Sequence, residues 1–335
     1  MALRWTEAAN GWTIYLLGWS EKKCGTKMTV AIGNKFKRKA RATRTGSRPS
    51  TSIVVCCSQL PYRMLGSVAD AEDMLQESFI RWQEASDIRS ARAFLVTIIS
   101  RLCINHLQSA RIQREEYVGE WLPEPLLTDP RSDPFAALKI DESLSMAFLV
   151  LLKRLTPVER AVFLLHEVFD YKHSEIAEVL DQSEANCRQI LRRARQHVGV
   201  MGRRFKASTQ ERNDLLERFV QATRNGDMEG LVALLSRDVA LHSDGGGKAI
   251  AKPDQIHGAE TVARGLLTSF KKNVPKSIVG RISHINGQRG LIGYLNGKPF
   301  SVLSFHIRDG RIQAIYVVTN PEKLSHLPGL RATLT

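Results

Sequence analysis

The 335-residue sequence predicts a multidomain chain, an all-α portion followed by an α+β domain with an antiparallel sheet. Three observations carry this. Apolar residues recur at helical spacing from Asp70 to Val198, with one Pro- and acid-rich interruption. Within that stretch, Thr156–His197 has the cap, turn and charge pattern of successive short helices ending in a basic one. After residue 270 the period changes from 3.6 to 2, and Asn-Gly and Asp-Gly pairs punctuate it.

A chain of this length holds two or three domains. The net charge of +14 and pI near 9.8 point to an anionic partner such as nucleic acid. The distribution qualifies that reading, because residues 1–60 hold eleven Lys/Arg against two acids. Local motifs must therefore carry any case for DNA binding. The cysteines are Cys24, Cys56, Cys57, Cys103 and Cys187; their spacing fits no zinc site and their odd number no simple disulfide framework. Cys103 and Cys187 fall on apolar helix faces as buried thiols. The expectation is a cytoplasmic protein with no metal, no cofactor and no membrane partner. The apolar run Trp12–Trp19 is too short to span a bilayer and has no export signal around it.

Taken in order, residues 1–60 read as a poorly ordered basic segment, with Lys35–Arg48 a solvated tail or a basic arm on DNA. Order is expected from about Tyr62. Asp70–Ala85 has helical spacing anchored by Met74, Leu75, Phe79 and Trp82, and its polar residues Asp70, Asp73, Gln76 and Glu77 share one face. An acidic face suits a basic protein partner; a plain solvated face is the alternative. Ala91–Gln113 is the next helix, with Phe94, Leu95, Ile98, Leu102, Ile104 and Leu107 inside. Its polar end (Asn105, His106, Gln108, Ser109, Arg111, Gln113 and Arg114) suits DNA. Gly119–Pro134 reads as a linker.

Thr156-Pro157-Val158-Glu159 is a helix start with a capping box and proline at the first position. A short helix follows, capped by Ser174 and turning Ile176, Ala177 and Leu180 inward. Asp181-Gln182-Ser183 is the turn, and Ser183 caps the last helix. There Cys187, Ile190, Leu191 and Ala194 form the core stripe. Arg188, Gln189, Arg192, Arg193, Arg195 and Gln196 point away. Arg and Gln can fork onto guanine and adenine edges, and Arg also neutralises phosphates. This is the layout of a helix-turn-helix with its second helix in the major groove; an ordinary helical hairpin with a solvated Arg-rich face is the alternative. In the last third, helices are expected at Glu211–Arg224, Met228–Ser236 and Ala259–Lys272. Strands are expected at Asp238–Asp244, Ser277–Asn286, Gly290–Leu295, Phe300–Arg308 and Arg311–Thr319.

At these residues the sequence resembles the extracytoplasmic-function sigma factors of the sigma-70 family. Asp70–Glu77 with Arg81-Trp82 resembles the polymerase-binding helix of region two, which implies contacts to core enzyme by Asp70, Glu72, Asp73, Gln76, Glu77 and Trp82. Ala91–Arg114 resembles the part that melts and reads the minus-ten element, and Leu155–Arg195 resembles region four, which reads the minus-thirty-five element. The implied DNA contacts in region four are Ser183, Glu184, Asn186, Arg188, Gln189, Arg192, Arg193 and Arg195. Three motifs point to the group with a fused SnoaL-like, cystatin-type domain: Trp121-Leu122-Pro123-Glu124-Pro125, Asp244-Gly245-Gly246-Gly247-Lys248 and Asn320-Pro321-Glu322-Lys323-Leu324. In the last, Glu322 stands where the family usually has Asp. The resemblance implies that this domain, with a curved antiparallel sheet, packs on the linker and regulates the sigma factor. The boundaries are 61–118 for region two, 119–136 for the linker, 137–200 for region four and 208–327 for the fused domain. One departure stands out. The family has a helix immediately before Tyr62–Gly66, and Ser47–Leu60 does not look helical.

The expected function is to direct RNA polymerase core enzyme to promoter DNA. A small ligand of the fused domain, which the sequence does not name, would shift its docking. Two other readings remain at this point: a one-component helix-turn-helix regulator, and a SnoaL-type isomerase or cyclase using His242, Asp244, His284 or His306. Those histidines have no diagnostic spacing, and the Gly triplet lacks the ending of a phosphate loop. No catalytic residue is therefore assigned.

Overall fold

The computed structural model describes residues 4–8, 11–15, 51–86, 88, 90–114, 117–128, 142–199, 209–249, 251 and 254–330. Short strands β1 (Arg4–Ala8) and β2 (Gly11–Tyr15) pair with each other. The basic run Lys35–Arg48 lies outside the described residues. Beyond that, the chain divides into two compact units.

The first unit joins Tyr15–Glu115 to Leu151–Val200. It opens with α1 (Thr51–Leu65), so the expectation that Ser47–Leu60 is not helical is wrong. The helix hid behind β-branched residues and the internal Pro61, which removes one backbone donor. Its inward residues Cys57, Leu60 and Met64 nevertheless recur at i, i+3 and i+7 and are all buried. Helix α2 (Val68–Glu84) starts at Ser67, whose hydroxyl accepts from Asp70 N at 3.2 Å. Ala71, Leu75, Phe79 and Trp82 line its inner face. In α3 (Ala91–Arg114) the deepest stripe is Leu95, Val96, Ile99, Cys103 and Leu107. Phe94, Ile98, Leu102 and Ile104, expected inside, are only half-buried. Apolar residues wrap so much of this helix that periodicity alone chose the wrong edge.

The short α4 (Met146–Leu152) leads to α5 (Pro157–Glu167). The Thr156 hydroxyl accepts from Glu159 N at 3.3 Å, and the Glu159 carboxylate accepts from Thr156 N at 3.0 Å. This is the expected capping box. Helix α6 (His173–Leu180) starts two residues earlier than expected. Its cap is not Ser174 but Lys172, whose N–H is taken by the Glu175 carboxylate at 2.8 Å. Its buried residues are Ile176 and Val179. Asp181 takes the left-handed conformation at φ 53°, which lets the chain reverse into α7 (Glu184–Val198). The Cys187, Ile190, Leu191 and Ala194 stripe is buried as read. Each such branched residue contributes about 1.5–3 kcal/mol on leaving water.

The second unit joins Met1–Ile14 and Glu116–Val150 to Met201–Thr335. Helices α8 (Thr209–Asn225), α9 (Met228–Leu234) and α10 (Ala259–Asn273) accompany six strands. These are β3 (Leu235–Asp244), β4 (Ile256–His257), β5 (Val279–Ile285), β6 (Gln288–Leu295), β7 (Lys298–Arg308) and β8 (Arg311–Val318), and α11 (Pro321–Leu324) follows. The sheet order is β4-β3-β8-β7-β6-β5. It is not wholly antiparallel, because β3 runs parallel to β8. The intervening elements carry the chain back to the starting edge of β3, which imposes that direction. Asn286-Gly287, Asn296-Gly297 and Asp309-Gly310 all have positive φ and close the three hairpins. Bulges at Gly293/Tyr294 and His306/Ile307 bend the sheet.

The two faces of the sheet bury different clusters. Phe219 and Leu215 from α8 and Leu231 from α9 pack with Phe305, Ile315 and Val239, and the Phe219 and Phe305 rings meet at 4.9 Å. On the other cluster, Tyr316, Val302 and Ile292 pack with Leu122 of the linker, Met146 and Ala147 of α4 and Leu324 of α11.

Candidate functional site

The exposed side of α7 is chemically uneven. Arg188, Gln189, Arg192, Arg193, Arg195 and Gln196 are all exposed, as are Ser183 and Glu184, while Asn186 is half-buried. Arg195 makes an ion pair with Glu167 of α5 at 2.5 Å, and Arg188 pairs with Glu184 one turn earlier. The Glu159 carboxylate that closes the capping box lies 3.4 Å from His197 Nδ1. Burial pushes the Glu159 pKa up, but its bonds to Thr156 and the neighbouring His197 more than offset this and hold it below the usual range. One carboxylate thus fixes the start of α5 and braces the end of α7.

On α2, Asp73 is exposed and Glu72, Gln76 and Glu77 are half-buried, so these four share an accessible face. Glu77 is held by Arg81 at 2.8 Å. Trp82 does not belong to that face; it is 2% exposed and packs edge-on against Phe79 at 6.3 Å, so its place is in the core. Asp70 pairs with His106 of α3 at 3.5 Å, which joins a residue expected to meet polymerase to one expected to meet DNA. Asn105, Gln108 and Ser109 are exposed. Arg111 and Arg114 end α3, and their side chains lie outside the described residues.

The three short motifs meet in the second unit around one buried carboxylate. Asp244, at the end of β3, is fully buried. Its Oδ1 accepts from the Tyr117 hydroxyl at 2.6 Å, and its Oδ2 accepts from Leu122 N and Lys323 Nζ, each at 2.7 Å. Lys323 also donates to the Leu122 carbonyl at 2.5 Å and lies 4.1 Å from the Trp121 ring centre. Asn320 caps α11 through Glu322 N and donates to the Tyr117 hydroxyl at 2.9 Å. Burial first, and then the bond to Asp244, push the Tyr117 phenol well above its ordinary range, so it stays a donor. Lys248 and Glu322 close the outside as an ion pair.

The rest of the linker is fastened on both sides of this point. Glu120 Oε1 takes His242 Nδ1 at 2.8 Å, and His242 stacks on Tyr316. Pro125 O meets His326 Nε2 at 2.8 Å. Leu126 exchanges two bonds with Asn286, Leu127 bridges to Ile285, and Thr128 N donates to His284 O at 3.0 Å. Pro123 and Pro125 deny this stretch two backbone donors, which suits a segment held mainly by side chains. Leu122, Pro123 and Pro125 are buried, Trp121 and Glu124 half-buried.

The acid/base candidates are not brought together. Asp244 and His242 are used by the linker, His284 lies on the edge strand, and His306 is buried on β7. Burial, then Arg308 and Arg212, pull His306 down to about 4, so it is neutral at pH 7.

Comparison with known proteins agrees with this layout. The model of sigma-70 region 2 matches residues 59–112, and that of sigma-70 region 4 matches residues 145–198. The ECF RNA polymerase sigma factor SigJ of Mycobacterium tuberculosis is 35% identical over 279 residues, which cover 80% of this chain and 89% of SigJ. This chain belongs to the extracytoplasmic-function sigma factors. A probable ECF sigma factor SigI from the same species is 29% identical, covering 80% of this chain and 91% of that one. The SigJ crystal structure superposes with TM-score 0.69 at 32% identity, over 82% of this chain and 96% of that one. The sigma factor therefore has RNA polymerase core enzyme and promoter DNA as partners.

Several residues of this site carried no signal in the sequence. Tyr117, Glu120, Thr128, Asn286 and His326 lie outside the three motifs. Asn286 was read as the end of a strand, and nothing marked its turn with Gly287 or its grip on the linker. The glycines are explained by close approach. At Gly246, φ is +58° and a Cβ would fall 2.2 Å from Asn320 Nδ2 and 3.0 Å from the Tyr117 hydroxyl. Gly247, at φ +69°, faces Val118. Gly246→Ala is expected to destabilise the second unit by at least about 2 kcal/mol through left-handed strain and overpacking. Its melting temperature should fall in calorimetry of the full chain, and a parent-like melt would show that the loop tolerates the methyl.

Proposed function

We propose that this sigma factor meets its partners through separate faces and that its C-terminal domain sets output by holding the linker. Asp70, Glu72, Asp73, Gln76 and Glu77 of α2 contact core enzyme. The end of α3 meets the minus-ten element, and Ser183 through Arg195 of α7 meet the minus-thirty-five element. The observation that carries this is the contrast of accessible faces: carboxylates and amides on α2, guanidiniums and amides on α7. Charge of opposite sign suits a basic protein surface in one case and phosphates in the other. The Asp244–Lys323 pair supports the regulatory part, since it binds linker, β3 and α11 in one contact.

Within this reading the C-terminal domain regulates and does not catalyse. A small ligand would act by favouring the held or the released linker. No helix among the described residues is long and apolar enough to cross a membrane; we place the protein in the cytoplasm, with its polymerase. The test is a pull-down of the full chain with core enzyme, repeated with Asp73, Gln76 and Glu77 changed to alanine. The parent is expected to be retained, and the triple variant to bind at least about tenfold more weakly. Equal retention would remove α2 from the interface.

A further inference from the structure

Helix α7 has two unlike flanks. On one, Arg188 and Arg195 are already paired with Glu184 and Glu167. These pairs are exposed and weak in water, but each sets a carboxylate beside its guanidinium and lowers the net positive charge of that flank. On the other flank Asn186, Gln189 and Arg193 recur at i, i+3 and i+7.

Asn186 on that flank is held in a particular way. Its Nδ2 donates to Gln182 Oε1 at 2.7 Å, while its backbone N–H goes to Ser183 Oγ at 3.2 Å. A carboxamide has two N–H donors and one acceptor oxygen. The Gln182 contact uses one donor and fixes the amide plane. The second N–H and Oδ1 remain as a coplanar donor and acceptor, which complement adenine N7 and N6 in the major groove. Asn186 is also in the first turn of α7, where recognition helices contact base edges. Gln182 precedes the helix and is exposed.

We infer that Asn186 reads one adenine of the minus-thirty-five element and that Gln182 is the positioning residue that aims it. This rests on the promoter-reading role of α7. It adds Gln182 to the recognition apparatus.

The experiment is transcription by core enzyme and full-length sigma factor from a promoter library randomised across the minus-thirty-five element. The readout is base preference at each position, a ratio that the active fraction of protein does not alter. The parent should favour adenine at one position by roughly 10- to 100-fold, and Asn186→Ala should abolish that preference while leaving the other positions alone. Gln182→Met, which keeps the length and loses the acceptor, should weaken the same preference by about 3- to 10-fold. Gln182→Glu, which keeps an acceptor, should retain it. No core-dependent transcript from the parent would overturn the promoter-reading role itself. A parent with preferences that Asn186→Ala does not touch would overturn this inference alone. Relaxation by Asn186→Ala without any by Gln182→Met would overturn the role of Gln182.

Discussion

Lys323→Met is expected to destabilise the second unit by about 3–5 kcal/mol, the cost of leaving one half of a buried ion pair behind. Lys323 and Asp244 are 7% and 0% exposed, and the carboxylate would keep only Tyr117 and Leu122 as donors. Met fills the same volume, so the loss measures charge and hydrogen bonding rather than a cavity. The contact to the Leu122 carbonyl and the packing on Trp121 disappear with it.

The double variant Asp244→Asn with Lys323→Met separates this account from simple disruption. The amide oxygen can still accept from Leu122 N, its NH2 can donate to the Tyr117 hydroxyl oxygen, and nothing charged stays buried. Its stability should recover to within about 1–2 kcal/mol of the parent, since a buried ion pair is often replaced by neutral groups at little net cost. Amide exchange of Leu122, whose N–H points at Asp244, reports the linker directly. It should accelerate in Lys323→Met and return toward the parent rate in the double variant. Promoter output should change in the same order. A single variant that costs under about 1 kcal/mol would mean that Lys323 is not what holds the linker.

How much of this could be read beforehand differs by feature. Capping, turn and stripe signals in Thr156–His197 are local, and the structure follows them closely except at Lys172. Strands of the last third were legible because Asn-Gly and Asp-Gly pairs leave the backbone few choices. The parallel pairing of β3 with β8 was not, since it joins residues some 70 positions apart and no local pattern records direction. Helix α1 was missed because Pro61 and β-branched residues argue against a helix locally, and burial of Leu60, Met64 and Leu65 overrides them. The motifs named the segments of the lock but not its chemistry. That Asp244 is its centre follows only from three donors converging from Tyr117, Leu122 and Lys323.

The other large effect is expected where regions two and four touch inside the first unit. Helix α5 packs against α1 and α3, and α6 also meets α3. The Arg160 guanidinium, 5% exposed, donates to Met64 O at 2.5 Å. Arg92 donates to the Tyr171 hydroxyl at 2.8 Å and stacks 4.5 Å over its ring, and Arg63 lies 5.6 Å over Phe169. Elements named minus ten and minus thirty-five are about 25 base pairs apart, or roughly 85 Å of duplex at about 3.4 Å per step. Two regions in direct contact cannot occupy both, so this arrangement must open before the promoter is engaged on both elements. Arg160→Leu removes a charged hydrogen bond from the closed form, while water satisfies the Met64 carbonyl once the regions part. The equilibrium should shift toward the open form by about 10- to 100-fold. Tyr171→Phe keeps the stacking and loses only the hydroxyl, so it should shift the balance less. Site-specific labels at Glu84 and Gln196, both exposed, would report a longer mean distance in Arg160→Leu, together with more transcript from a promoter that depends on both elements. Folded variants whose label distances match the parent would show that Arg160 and the Arg92–Tyr171 bond do not hold the regions together.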